Sequence, residues 1–236
     1  MTSPSDKTPS TRRAGSSAVE AFLDDARNIP VAGADGRGRL VFALDATMSR
    51  QPTWDLALGL QGKMFETAAA HGGLDVQLVY FRGLAECRAS RFVSGGQGLA
   101  ELMSRIDCRG GHTQIGKVLG HIRGETQRAR IGAFVYVGDA MEENIDRLAQ
   151  IAGELGLLGV KAFMFHEGTD AQAAQAFKEI ARLTGGAYAA FDARAPGRLA
   201  ELLEAAAAYA SGGRLALERQ AREGKREAQN LLSQMR

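Results

Sequence analysis

The chain is poor in several things, and each shortage narrows what it can do. It has two cysteines, Cys87 and Cys108, in neither a close pair nor the spacing of a metal cluster. Free, buried or half-buried thiols in a reducing compartment are therefore expected. No stretch approaches the roughly 18 apolar residues of a membrane-spanning helix. The basic N-terminus, with Lys7, Arg12 and Arg13, is followed by no apolar segment of the kind a signal peptide carries. A cytoplasmic protein away from membranes is the expectation. Charge of one sign is also scarce: the formal net charge is +2 over 236 residues. Without a strong basic field, and without basic residues interleaved with aromatics, nucleic acid is not the expected partner. His71, His121 and His166 show no metal-ligand spacing with one another.

What the chain does have is an apolar fraction of 45%, ordinary for a globular protein and enough for a sizeable core. Its organising stretch is Leu40-Val41-Phe42-Ala43-Leu44-Asp45-Ala46-Thr47-Met48-Ser49. A continuous apolar run ending in a carboxylate reads as a buried strand of a parallel sheet. Asp45 then stands at the carboxyl end of that strand, where open α/β sheets place their ligands. A carboxylate followed by hydroxyls at alternate positions, Thr47 and Ser49, is an all-oxygen cluster suited to a hard cation such as Mg²⁺.

Residues 1–16, rich in Ser, Thr, Pro and basic side chains, read as a disordered tail. Ala18 to Ala26 could form a short helix that Pro30 keeps from running on, and a glycine-rich linker leads to the first strand. The residues after Pro52 predict an amphipathic helix, with Leu56, Leu60, Met64 and Ala68 on one face, ended by Gly72-Gly73. Trp54 is expected in core or lid packing. Strands are predicted at Leu74–Phe81, at the charged and therefore edge-like Glu86–Val93, and at Ile131–Val137, Val160–Phe165 and Ala187–Phe191. Helices are predicted at Gln97–Ile106, from Ile115 to about Arg128, through Ile145–Leu155 and Ala174–Ala181, and around Leu199–Ala206. This alternation predicts one α/β domain over residues 38–211 with a mostly parallel, doubly wound sheet and helices on both faces. Residues 212–236 hold six Lys/Arg against three Glu and an apolar cluster of Ala228, Leu231, Leu232 and Met235. They read either as a solvated helical extension or as a docking helix for a partner.

Oxygen-bearing residues recur at three separated places: Asp45, Thr47 and Ser49; Thr113 after Gly110-Gly111-His112; and Asp139 after the Ile131–Val137 strand. In this order and context the sequence resembles the von Willebrand factor A (vWA) domain with its metal-ion-dependent adhesion site (MIDAS), in its intracellular bacterial form. It departs from the family in Thr47 for the first serine, in His112 between glycine and Thr113, and in Ala140 after Asp139. The resemblance implies a strand order 3-2-1-4-5-6, which makes strands 1 and 4 neighbours. It implies Thr47, Ser49 and Thr113 as oxygen ligands of Mg²⁺ (or Mn²⁺ or Ca²⁺), with Asp45 and Asp139 acting largely through water. A protein partner's acidic side chain would then dock at the ion, and Arg50, Gln51, His112, Glu142 and Glu143 would form the rim. The residue-by-residue alternative is that Asp45 and Thr113 cap helices and Asp139 begins a turn.

The same residues also resemble haloacid-dehalogenase-type phosphatases. There Asp45 would be the nucleophile attacking phosphorus, Thr113 and Lys117 the phosphate-binding pair, and Gly138-Asp139 the late metal motif. Against this, Thr47 stands where a general-acid carboxylate is wanted, and Pro52 onward reads as helix where a flap hairpin is expected.

Overall fold

The computed structural model describes residues 36–192 and 194–235. The tail over residues 1–16, the helix near 18–26 and most of the linker lie outside the described residues. The strands are β1 Gly38–Asp45, β2 Leu74–Arg82, β3 Glu86–Val93, β4 Ala133–Gly138, β5 Lys161–Glu167 and β6 Ala187–Phe191. The helices are α1 Gln51–Ala69, α2 Gly96–Met103, α3 Ile115–Arg128, α4 Ile145–Leu157, α5 Ala171–Thr184, α6 Pro196–Arg222 and α7 Arg226–Gln234.

The strands form one sheet in the order β3-β2-β1-β4-β5-β6, parallel except for the antiparallel β2–β3 pair. β3 is the charged edge strand that its sequence predicts, with several exposed positions. β1 is central because its residues are apolar on both sides of the pleat. Leu40, Phe42 and Leu44 face a core completed by α1, α2, α6 and α7, whereas Val41 and Ala43 face α3, α4 and α5. Side chains alternate along a strand, so covering both faces requires such a continuous apolar run. Leu44 pairs with Val137, which leaves Asp45 and Asp139 just beyond the last paired residues of adjacent strands. After β1 the chain turns through Met48–Arg50 directly into α1, so no flap hairpin follows Asp45.

Two expectations are corrected. The helix expected to reach Ile106 ends at Met103, where Ser104 N–H bonds back to the carbonyl of Ala100. The C-terminal segment is neither a solvated extension nor a free docking helix. Gly213, with φ 66° and ψ −162°, kinks α6, a left-handed backbone that favours glycine. After the kink the chain folds back through Gly224, and α7 packs on α6 and β6. Leu217, Ala228 and Leu231 are buried in the same core as β1. The Gln234 side chain accepts from Tyr188 N–H and donates to Tyr188 C=O, both at 3.0 Å. That side-chain amide takes up unpaired backbone groups of edge strand β6, where exposed strands invite mispairing. Residues 212–235 therefore belong to the domain. Cys87 and Cys108 are free, and no described helix is long and apolar enough to cross a membrane.

Candidate metal centre

Asp45 is buried, 3% exposed, at the end of β1. Its Oδ1 accepts from the backbone N–H of Thr47 at 2.8 Å. This local bond fixes the turn after the strand and lines up the hydroxyls behind the carboxylate. Thr47 Oγ1 and Ser49 Oγ lie 3.4 Å apart, and Ser49 Oγ donates to Asp139 Oδ2 at 3.3 Å. Asp45, Thr47, Ser49 and Asp139 thus form one row of oxygens across the ends of β1 and β4. Neighbouring strand ends where the chain winds both ways make such a crevice by topology alone.

Thr113 is tied to the loop after Asp139 and not to the oxygen row itself. Its backbone N–H donates to Glu142 Oε2 at 2.9 Å, and its Oγ1 accepts from Glu142 N–H at 3.0 Å. Glu143 takes the N–H groups of Ile115 (a very short contact) and of Gly116, at 2.9 Å. These are orphan donors of the first turn of α3, and the helix dipole favours a carboxylate there. The two glutamates therefore clamp the Thr113 loop to the loop carrying Asp139. On its other side, His112 N–H bonds Gly83 C=O, and Gln114 Nε2 is held by the carbonyls of Arg82, Gly83 and Glu86. A Cβ on Gly111 would lie 2.3 Å from backbone atoms of Gly83, so this close approach requires glycine. No hydrogen bond joins Thr113 to the other four oxygen-bearing residues among the described residues. It keeps its own proton and a free lone pair.

The helix-cap alternative is answered in part. Asp45 does hold a local turn, but Thr113 does not cap α3: Glu143 does. The expected rim also changes. Gln51 and His112 are exposed, Gln51 bonded to Asp55 and His112 3.1 Å from Glu142. Glu143 is a structural cap, and Glu142 is half of the loop clamp. Arg50 is not a rim residue: it is 8% exposed, 3.1 Å from Asp139 Oδ2 and ion-paired with Glu167. Its burial follows from the short turn, in which Arg50 N–H bonds back to Thr47 C=O and directs the side chain across the sheet end.

The sequence reading missed Glu167 and Tyr136. Glu167 ends β5 as Asp139 follows β4, and a carboxylate at the carboxyl end of a predicted strand was the available signal. Tyr136 lies in β4, stacked on Phe81 and edge-on to Phe177. Nothing in an apolar strand marks it out.

Burial dominates the electrostatics at Asp45. Burial pushes the Asp45 carboxyl up to about 6, as does the charge of Asp139, while the Thr47 hydrogen bonds and Arg50 pull it down. Its ionised form is therefore under-compensated. Tyr136 Oη is buried with no hydrogen-bond partner among the described residues. Burial foremost, then the charges of Asp45, Glu143 and Asp139, raise its pKa well above the usual range for a phenol. No group of three or more His, Cys, Asp or Glu among the described residues suits a metal, so an ion here would depend on hydroxyl oxygens. Two carboxylates with three hydroxyls fit a hard, six-coordinate ion that keeps several waters.

No protein-family model matches the sequence, and no curated protein does. Among solved structures, the chain is similar to the VWA domain of SpRpn10, at 11% identity and TM-score 0.57, over 71% of this chain and 94% of that one. It is also similar to an aerotolerance-related membrane protein from Bacteroides fragilis, at 17% identity and TM-score 0.51, over 70% and 98%. A third is proximal thread matrix protein 1 from the mussel byssus with a zinc-occupied MIDAS motif, at 15% identity and TM-score 0.57. That match covers 81% of this chain and 51% of the mussel protein. At these identities the likeness shows the fold: the chain has a vWA-like α/β architecture.

Proposed function

We propose that this domain is a protein-interaction module that holds a divalent cation, Mg²⁺ or else Mn²⁺ or Ca²⁺, and docks the acidic side chain of a protein partner on it. The observation that carries the reading is the single row of oxygens from Asp45 through Thr47 and Ser49 to Asp139 at the ends of adjacent strands. Thr47, Ser49 and Thr113 would hold the ion, with Asp45 and Asp139 acting largely through water. A bound ion supplies a positive coordination position that a carboxylate can take in exchange for water. The chain's own residues do the rest. The Asp45–Thr47 turn presents the hydroxyls, the Glu142 and Glu143 clamp ties the Thr113 loop to the loop carrying Asp139, and neutral hydroxyl ligands would leave the ion's charge for the incoming group. Met48, 64% exposed between the two hydroxyl residues, offers a partner an apolar contact beside its carboxylate. The mussel protein's zinc-occupied MIDAS motif on the same fold supports the reading, and the free thiols agree with a cytoplasmic setting.

The test is thermal unfolding with and without Mg²⁺, Mn²⁺ or Ca²⁺, followed by affinity capture with and without chelator. Wild type should gain stability with metal, as ligand linkage requires. Asp45→Ala and Asp139→Ala should fold and gain none. Metal stabilisation that survives both substitutions would sink the proposal.

A further inference from the structure

Arg50 places a cation inside a crevice that the proposed function reserves for a metal. Its guanidinium lies 3.1 Å through Nη2 from Asp139 Oδ2, pairs through Nη1 with Glu167 Oε2, and has Nε 3.5 Å from Ser49 Oγ. Glu167 Oε2 also accepts from the Thr53 hydroxyl in the first turn of α1. The planar fork thus ties together the ends of three strands, through the loop after β1, Asp139 after β4 and Glu167 ending β5. A guanidinium suits this geometry because it presents fixed donors to two carboxylates at once.

Two features set Arg50 apart from an ordinary surface ion pair. Its side chain is 10% exposed and that of Glu167 13%, so water screens the pair weakly. Arg50 also donates to the same oxygen, Asp139 Oδ2, that accepts from Ser49. Any ion held by the hydroxyl row would share that carboxylate with the guanidinium. Arg50 is one guanidinium facing Asp139 and Glu167, with Asp45 close by and Glu142 and Glu143 on the adjoining loop, so the crevice stays net negative.

We infer that Arg50 is the resident cation of this site. Held by Glu167, it neutralises Asp139 and keeps the loop after β1 in place without metal, and a divalent ion binds against its charge. Arg50 and Glu167 are then positioning residues that set how tightly the site loads. This rests on the metal reading above.

The experiment is calorimetric titration of the full chain with Mn²⁺, together with metal-free melting temperatures. The variants are Arg50→Gln, Arg50→Lys and Glu167→Gln. Removing the competing charge in Arg50→Gln should tighten Mn²⁺ binding at least about tenfold while lowering the metal-free melting temperature. Arg50→Lys keeps the charge and should stay within about threefold of wild type, because Coulomb attraction and repulsion depend on charge more than on shape. Glu167→Gln removes one negative charge and should weaken binding about tenfold, which keeps the inference testable if Arg50→Gln does not fold. Unchanged or weaker binding in Arg50→Gln, or unchanged or tighter binding in Glu167→Gln, overturns the inference and leaves the metal reading standing. Absence of Mn²⁺ binding in every protein removes both.

Discussion

Burial raises the Asp45 carboxyl from 3.8 to about 6, and the direction of the consequence follows from proton linkage. The folded state binds this proton more tightly than the unfolded chain does. Asp45 therefore favours folding below about pH 3.8, and that advantage is lost as pH rises through about 6. Above this window the buried charge costs about 2–3 kcal/mol relative to the protonated form. Asp45→Asn keeps an acceptor for the Thr47 N–H and removes the charge. In chelator near pH 7.5 it should be more stable than wild type by about 2 kcal/mol, with the difference closing below about pH 4. Urea unfolding across that range measures it, and a difference independent of pH would contradict the assignment. At this scale the nearness of Asp45, Thr47, Ser49 and Asp139 was legible because carboxylates and hydroxyls at strand ends have few structural reasons to cluster. The roles of Arg50 and Glu143, expected only on the rim, were not. A charged side chain near a loop reads as solvated until the fold shows that Arg50 faces Glu167 and Glu143 faces the orphan amides of α3.

Among the elements, α7 is where sequence pattern and structure part. Its apolar positions predict a helix face, and a face is all that periodicity can reveal. What that face packs on is decided by the kink at Gly213 and the reversal at Gly224, whose positive φ values redirect the chain onto α6 and β6. The charge pattern suggested a solvated segment because Arg222 and Glu218 do pair near the end of α6, while Leu231 in α7 is fully buried. Leu231→Ala should therefore destabilise the fold by about 2–4 kcal/mol in urea unfolding, the range for a large-to-small change in a packed core. A loss below about 0.5 kcal/mol, typical of surface positions, would return α7 to the status of an appendage. The strands were easier to read: β1 and β4 are apolar on both faces and β3 is charged, which separates central strands from an edge.

For the molecule as a whole, the central arrangement was legible because topology does the convergence. Once β1 and β4 are neighbours, Asp45 and Asp139 share a crevice without any contact having to be foreseen. The tie between the Thr113 loop and the loop after β4 was not legible. Thr113 is bound by Glu142, three residues after Asp139, in a reciprocal pair of bonds between loops that no spacing within either loop announces. The expected strand order holds, and the separate C-terminal segment does not: residues 212–235 complete the core on the α1 side of the sheet. The most direct measurement is the anomalous scattering of crystals grown with Mn²⁺. One ion in the crevice, with the hydroxyl oxygens of Thr47, Ser49 and Thr113 at about 2.0–2.3 Å, is the predicted result. Ordered Mn²⁺ elsewhere with none in the crevice, or an ion there that leaves Thr113 out of reach, would contradict it.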